Sequence, residues 1–237
     1  MPTRSRPRND PGQYDDLAGE WWRPDGVFAM LHWLARARAR LVPPAGRDGA
    51  ILVDLGCGAG LLAPHIADKG YRHLGFDLVP SALAQAREHG VTVVAADVTR
   101  LPLADGCADV VCAGELFEHV PDLSAAVAEA CRVLRPGGLL VLDTLADTAV
   151  CRFVAVTLAE QMYRGAVSGI HDPDLFVDPD RLVRRCAENG VRLRVSGIRP
   201  AMGDIARWLI TRRGEVRIVP TWSKAVLYQG SGVKESE

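Results

Sequence analysis

The sequence lacks a long apolar run and an excess of charge of either sign. Its 28 lysine and arginine residues nearly balance 29 aspartate and glutamate residues, so the formal net charge is −1. A nucleic-acid-binding surface needs clustered basic residues that neutralise phosphates, and we therefore expect no nucleic-acid partner. With neither a membrane-spanning run nor a secretory pattern, the sequence predicts a cytoplasmic protein.

Cysteine motifs are also missing. None of the six cysteines belongs to a Cys-x-x-Cys pair, which argues against both a zinc knuckle and a disulfide framework. Most of them stand in apolar runs, where a free thiol behaves as a small hydrophobic side chain. The remaining composition, with 48% hydrophobic and 24% charged residues, is that of an ordinary globular protein.

The most informative segment that is present is a glycine-rich loop. Ile51–Gly60 reads ILVDLGCGAG, a short apolar strand followed by Gly-x-Gly-x-Gly, and Asp77 ends the next apolar run. Glycines let backbone N–H groups approach a ligand closely, and an acid about twenty residues further on accepts hydrogen bonds from ribose hydroxyls. A dinucleotide fingerprint is Gly-x-Gly-x-x-Gly, but Leu61 occupies the position of its third glycine. The spacing is instead similar to that of class I S-adenosylmethionine-dependent methyltransferases.

This resemblance implies a site for S-adenosylmethionine at the ends of several strands. The turn Leu134–Gly138, LRPGG, recurs throughout the same class. The acid ahead of the glycine loop suits an amino-bearing ligand, and the acid after the third strand lies near the adenine amino group in this family. The cofactor residues expected on this basis are Asp54, Gly56, Cys57, Gly58, Gly60, Asp77, Leu78, Asp97, Val98, Gly114 and Glu115.

Short apolar runs alternate with helical patterns over the core of the chain, including a helical pattern from Leu61 to Asp68. This alternation predicts an α/β fold, a doubly wound and mostly parallel sheet with an antiparallel edge strand. We expect one domain over 14–230, with N-terminal helices at 14–47, a cofactor-binding core at 48–145, a lid insertion at 146–180 and the C-terminal sheet edge at 181–230. Disordered tails are expected at 1–13 and 231–237.

Three further segments resemble the ubiquinone biosynthesis O-methyltransferases. They are Glu20–His32 (EWWRPDGVFAMLH), Gly114–Asp122 (GELFEHVPD) and Gly169–Pro179 (GIHDPDLFVDP). The resemblance runs from about Asp16 to Leu182 and implies methyl transfer to a phenolic or catechol-like hydroxyl. After the fifth strand the chain departs from it, because Asp143–Asp147 reads DTLAD where the family usually has a Ser-Thr-Leu-Asn-Arg run.

The N-terminal signature implies one more cofactor residue. In that family an arginine after Leu-His reaches the methionine carboxylate of the cofactor, and the register places Arg38 there. The planar guanidinium can bind a carboxylate through two parallel hydrogen bonds. The alternative is a solvated helix face, since Arg36 and Arg40 alternate with Arg38.

A Glu-x-x-Glu-His set follows the fourth predicted strand. If a helix begins there, Glu115, Glu118 and His119 lie on one side of it. The resemblance implies that these three hold a divalent cation, typically Mg²⁺, beside the acceptor hydroxyl, whose pKa the cation would lower. The alternative is a metal-free site in which His119 is the base or merely a packed loop residue. Glu118 is a further catalytic candidate.

The predicted insertion carries two more candidates. His171 is a second candidate base, and a structural His-Asp capping pair with Asp172 is the alternative. The segment 149–165 combines apolar residues with Arg152 and Arg164, which suits a peripheral contact with a membrane when a prenylated acceptor is extracted. The alternative is an amphipathic lid that covers the protein's own pocket.

Taken together, the patterns predict an S-adenosylmethionine-dependent O-methyltransferase acting on a small aromatic molecule such as a prenylated quinone precursor. Positioning the acceptor oxygen in line with the S–CH₃ bond would supply much of the rate. Two alternatives stay open: C-methylation of a quinone or polyketide ring, and a catalytically silent cofactor-binding subunit. The sequence leaves the oligomeric state open.

Overall fold

The computed structural model describes residues 7–154 and 169–236. Within these residues, eight strands form one sheet in the order β3-β2-β1-β4-β5-β8-β6-β7. The strands are β1 Ile51–Leu55, β2 Arg72–Asp77, β3 Thr92–Ala95, β4 Ala108–Gly114, β5 Leu134–Leu145, β6 Val191–Pro200, β7 Ile218–Thr221 and β8 Leu227–Lys234.

The sheet is mixed but mostly parallel. Strands β1 to β5 pair in parallel, β8 lies antiparallel between β5 and β6, and β7 lies antiparallel to β6 at the edge. The expected α/β sheet with an antiparallel edge is therefore confirmed. A second antiparallel strand, β8, is inserted inside the sheet, because the chain returns from β7 to fill the space between β5 and β6.

The expectation of a disordered tail from residue 231 was wrong. Strand β8 continues to Lys234 because its residues pair with both neighbours: Ser231 faces Val141 of β5 and Arg194 of β6. The Lys234 ammonium also donates to the carbonyl oxygens of Cys131 and Leu134, at 2.8 and 2.9 Å. At the other end, a short helix begins at Gly12, inside the segment expected to be a tail.

Helices cover both faces of the sheet. They are α1 Gly12–Asp16, α2 Ala29–Ala39, α3 Pro80–Glu88, α4 Leu123–Val133, α5 Ala149–Arg152, α6 Pro179–Glu188 and α7 Met202–Thr211. Asp122 and Asp178 set the starts of α4 and α6, because each side chain accepts a hydrogen bond from a backbone N–H of the first turn. No helix in the described ranges is long and apolar enough to span a bilayer.

Two local predictions need correction. The stretch from Leu61 to Asp68 forms two 3₁₀ helices, Ala63–His65 and Ala67–Lys69, because Ile66 between them leaves the helical region at φ −123°. The LRPGG segment lies within β5 rather than before it, and the pairing with β4 shifts register there. Ala108 pairs with Leu134 and Val110 with Leu139, so β5 has more residues than β4 over this interval and is irregular there.

The sheet places the candidate site at the carboxyl ends of its parallel strands. Strand β4 is buried along almost its whole length, as expected for a parallel strand covered on both faces. Since β1, β2, β4 and β5 are parallel, their carboxyl ends lie at the same edge of the sheet. The glycine loop, Asp77, Glu115 and the end of β5 therefore come together there.

Candidate active site

The glycine loop is tied to the end of β2 by Asp77. Gly58 N donates to Asp77 Oδ2 at 2.8 Å, and Val79 N donates to Asp77 Oδ1 at 2.9 Å. Burial raises the pKa of the Asp77 carboxyl, while these backbone donors oppose that rise. The two donors fix the carboxylate at the mouth of the loop, where the sequence placed it.

Aromatic rings from the N-terminal segment cover the loop. Gly58 has φ +50°, and a Cβ there would lie 2.9 Å from Trp21 Cη2. The Trp21 ring stacks on Phe28 with centroids 4.2 Å apart, and Tyr14 stacks on both rings. Only glycine combines this backbone conformation with such a close indole ring. The N-terminal aromatic residues are thus part of the site.

Among the other expected cofactor residues, some are buried in the core and some are exposed at the surface. Asp54 is buried in β1 and faces His73 Nε2 at 3.1 Å, so its side chain already has a partner in the protein. Cys57 is buried, as are Gly58 and Gly60. Outside the core, Leu78 is 57% exposed. The exposed Asp97 accepts from Thr99 N and Thr99 Oγ1, both at 2.8 Å. Their contacts with a cofactor stay predictions.

Arg38 is buried, which excludes the solvated-face alternative. Its Nε and Nη2 donate to the two oxygens of Asp143, each at 2.8 Å. Gly114 makes room for this pair, because a Cβ at Gly114 would overlap the guanidinium group. The two-pronged carboxylate contact expected of Arg38 is therefore made, but with Asp143 of β5.

Glu115 does not begin a helix, so the expected alignment of the Glu-x-x-Glu-His set was wrong. Its φ of +48° lies in the left-handed region, and only Phe117–His119 forms a 3₁₀ turn. Glu118 is fully buried and its Oε2 accepts from Thr144 Oγ1 at 2.6 Å. Burial raises the pKa of Glu118 to about 7 and raises that of Glu115 well above its usual value. Burial and the neighbouring negative charges therefore favour the protonated, uncharged form of these carboxyls.

The side chains do not fit a shared metal ion. Within residues 7–154 and 169–236, no three histidine, cysteine or acidic side chains are arranged to hold one. The reason is visible in the loop: Glu118 turns toward Thr144, while the His119 ring faces Asn9 and Tyr14. The described residues therefore give no support to the Mg²⁺ site expected at Glu115, Glu118 and His119.

The imidazole of His119 is held as an uncharged ring. Its Nδ1 lies 2.6 Å from Asn9 Oδ1, and its Nε2 lies 3.4 Å from Tyr14 Oη. Burial, and secondarily the nearby His171, lowers the pKa of His119 to about 3. An imidazole that is neutral at pH 7 can accept a proton.

His171 lies directly against His119. The two rings are 5.3 Å apart between centroids and nearly parallel, and Phe176 packs edge-on against His171. Burial lowers the pKa of His171 to about 4. The adjacent Asp172 caps the 3₁₀ helix Pro173–Leu175 by accepting from Asp174 N at 3.1 Å. Asp172 thus caps this short helix by itself, while the His171 ring packs against His119 at the candidate site.

Four residues at this site were missed by the sequence reasoning, or noted without a role: Asn9, Tyr14, Asp143 and Thr144. The sequence showed that Asp143–Asp147 differs from the family's usual run. Its physical reason is the ion pair between Asp143 and the buried Arg38, which only the structure reveals. Asn9 and Tyr14 precede the Trp-Trp signature and belong to no pattern of their own. Most of the predicted membrane segment 149–165, from residue 155 onward, lies outside the described residues.

Comparisons with known proteins agree with this geometry. Residues 53–142 match the family described as "Methyltransferase domain". The chain is 35% identical to the ubiquinone biosynthesis O-methyltransferase of Methylococcus capsulatus, over 76% of this chain and 80% of that protein. It is also 35% identical to the protein of that name from Thiobacillus denitrificans, over 76% and 81% of the two chains. The chain belongs to the ubiquinone biosynthesis O-methyltransferase family.

The fold comparison extends this result. A Thermotoga maritima structure, described as an S-adenosylmethionine-dependent methyltransferase and possible histamine N-methyltransferase, superposes with a TM-score of 0.66 over 94% of this chain and 98% of its own. At 18% identity that likeness shows the fold alone. This member of the O-methyltransferase family is an S-adenosylmethionine-dependent methyltransferase, as the glycine loop and Asp77 predicted.

Proposed function

We propose that this methyltransferase transfers the methyl group of S-adenosylmethionine to a phenolic hydroxyl of a small aromatic acceptor of the quinone-precursor type. The observation that carries the proposal is the identity of 35% over about three quarters of the chain with a relative named for ubiquinone biosynthesis O-methylation. The half-buried, stacked pair of His119 and His171 next to Tyr14 supports it, because removal of a phenolic proton needs a neutral base.

The residues present fit the methyl donor. The Asp77 carboxylate keeps lone pairs beyond its two backbone contacts, and these are available to the ribose hydroxyls. The exposed Asp97 at the next strand end suits the adenine amino group. Glu115 Oε1 is buried and has no hydrogen-bond partner among residues 7–154 and 169–236, so a ligand amino group would satisfy it. When bound, S-adenosylmethionine supplies an electrophilic methyl group on a sulfonium.

His119 is the base in this proposal. Its Nε2 takes the hydroxyl proton of the acceptor while the acceptor oxygen attacks the methyl carbon. The ring is neutral at pH 7, so its Nε2 lone pair is available. Because the pKa of His119 is lowered to about 3, the proton moves to Nε2 as the O–CH₃ bond forms and makes the hydroxyl strongly acidic. Holding the oxygen in line with the methyl group supplies much of the remaining rate. His171 shields the base on one side, since its ring stacks on His119.

We also propose a peripheral contact with an anionic membrane, through which a prenylated acceptor would reach the site. Large apolar side chains are exposed at α5, along α7 and just after β7: Val150, Phe153, Met202, Leu209, Ile210 and Trp222, from 50% to 96% exposed. Arginines at positions 207 and 213 flank those of α7. Exposed apolar side chains beside cations suit an anionic lipid surface.

A vesicle sedimentation experiment tests this contact. We expect binding to anionic vesicles, weaker binding to zwitterionic ones, and loss of binding in Ile210→Ser combined with Trp222→Ser. Val233→Ser is the matched control, because Val233 is 48% exposed on β8, away from α7. Equal binding by the double variant and the control would overturn the proposal and favour a lid that covers only the protein's own pocket.

Activity assays test the main proposal. The purified chain, S-adenosylmethionine and a panel of catechols and prenylated phenols should give a methylated product, and His119→Gln should lose most of the rate. Methylation of ring carbons would favour the C-methyltransferase alternative. Binding of S-adenosylhomocysteine without turnover of any acceptor would favour the silent-subunit alternative.

A further inference from the structure

The N-terminal segment from Arg8 to Tyr14, here called the strap, crosses the candidate site. Asn9 N and Gln13 Nε2 both donate to Gly169 O, at 3.0 and 3.1 Å. Arg8 Nη1 donates to His171 O at 2.8 Å. The strap therefore joins the loop after β4 to the segment that carries His171, although the two are far apart in sequence.

Asn9 makes two hydrogen bonds to one residue of that loop. Its Nδ2 lies 2.8 Å from His119 O, and its Oδ1 lies 2.6 Å from His119 Nδ1. A carbonyl oxygen only accepts hydrogen bonds, so the Asn9 amide must present its NH₂ group to His119 O. Its Oδ1 then faces the ring and can only accept, which requires a proton on Nδ1. The lone pair of the neutral ring is consequently on Nε2.

We propose that Asn9 is a positioning residue, which holds the His119 ring in the Nδ1–H tautomer so that Nε2 receives the proton of the acceptor hydroxyl. This inference rests on the proposed function. Asn9 has φ +60°, a conformation that asparagine and glycine tolerate best, so the backbone is arranged to present this amide. An amide orients the imidazole in the same way as in Cys-His-Asn catalytic sites, without adding a charge.

The surroundings of the ring leave Nε2 as the working atom. Tyr14 Oη is 3.4 Å from Nε2, a long contact that an acceptor hydroxyl can replace. During transfer the acceptor O–H bond breaks and its proton goes to Nε2, the O–CH₃ bond forms and the S–CH₃ bond breaks. The resulting imidazolium still donates from Nδ1 to Asn9 Oδ1, and its Nε2 proton then passes to solvent.

The rival explanation is that Asn9 only fastens the strap. Asn9→Gly removes the amide and keeps the positive φ. Gln13→Ala is the matched control, because it cuts a tie of the same strap to Gly169 without touching His119. The readout is the ¹⁵N NMR signal of the His119 ring in the full-length protein, identified by its loss in His119→Gln, together with kcat and KM for a catechol.

We expect Nδ1–H in the unmodified protein, a shift toward Nε2–H in Asn9→Gly and no change in Gln13→Ala. The kcat of Asn9→Gly should fall at least about tenfold, with KM for the donor unchanged. An Nε2–H tautomer in the unmodified protein would overturn the inference, as would equal losses of kcat in the two variants. Full phenol methylation by His119→Gln would overturn it while the proposed function stands. No phenol methylation by a chain with the expected tautomer would instead overturn the proposed function.

Discussion

Arg38 and Asp143 form a two-pronged ion pair inside the protein, 105 positions apart in the sequence. Both hydrogen bonds are 2.8 Å long, and the Arg38 side chain is 8% exposed while that of Asp143 is fully buried. The pair joins α2 to β5 directly behind Glu115, whose backbone N–H donates to Asp143 O at 2.8 Å. It therefore sets the position of the loop that carries the candidate base.

Breaking this pair should destabilise the protein strongly. Asp143→Asn leaves a buried guanidinium without its counter-charge, which costs about 3–5 kcal/mol of unfolding free energy. Denaturant unfolding measures it. The double variant Arg38→Met with Asp143→Leu should lose far less stability than Arg38→Met and Asp143→Leu lose in sum as single variants. The reason is that the double variant leaves neither charge buried without its partner. Additive losses would show that the two side chains are not coupled.

Asp77 should matter for binding of the donor. Asp77→Ala removes the acceptor of the ribose hydroxyls and of Gly58 N, and we expect a loss of about 1–3 kcal/mol in affinity for S-adenosylhomocysteine. Calorimetric titration measures it. Asp77→Asn is the matched control, since it keeps one acceptor oxygen and should lose less. Unchanged affinity in both variants would place the ribose contact elsewhere.

Chelation should leave the transfer rate unchanged. The Glu118 carboxyl turns toward Thr144 and the His119 ring faces Asn9, so the described side chains do not offer one ion a common position. Initial rates before and after exhaustive chelation, and after added Mg²⁺, test this. A rate that is lost in chelator and restored by Mg²⁺ would contradict the geometry and return the metal hypothesis.

The histidine pair should make the fold sensitive to acid. The pKa of His119 is lowered from 6.5 to about 3 and that of His171 from 6.5 to about 4, so the folded chain does not bind protons that the unfolded chain binds below pH 6.5. Stability should therefore fall as the pH falls from 6.5, by about 2 kcal/mol per histidine at pH 5.

Denaturant unfolding of His119→Gln and His171→Gln at several pH values checks this. In each variant the free energy of unfolding should fall less steeply below pH 6.5 than in the unmodified protein. Glu118 acts in the opposite sense. Its pKa is raised from 4.5 to about 7, so its contribution is lost as the pH rises through that window, and Glu118→Gln should remove that loss. If the free energy of unfolding depends on pH in the same way in all three variants and in the unmodified protein, the shifted pKa values given to these groups are contradicted.

The predictable part of the site depends on short-range patterns. The glycine spacing and Asp77 lie within one strand-loop-strand unit, so the sequence predicted the loop, the class of cofactor and the parallel sheet. The i, i+3, i+4 spacing of Glu115, Glu118 and His119 misled, because it assumed a helix where Glu115 adopts a left-handed conformation. Nothing in the local sequence signals that turn.

Contacts between distant segments account for the rest. The pairing of Arg38 with Asp143 and that of Asn9 with His119 span 105 and 110 positions. Each depends on the sheet order, which brings the end of β5 and the loop after β4 beneath the N-terminal helices. A single sequence carries no periodic pattern across such separations, so the buried partner of Arg38 and the orienting amide of His119 required the structure.

The most direct test of the account follows the transferred methyl group itself. The purified protein is incubated with S-adenosylmethionine carrying a trideuterated methyl group and with a catechol acceptor, and the product is examined by mass spectrometry and NMR. We predict a deuterated methyl ether on the phenolic oxygen, with the rate nearly abolished in His119→Gln. A deuterated methyl group on a ring carbon, or none transferred to any phenol tested, would contradict O-methylation.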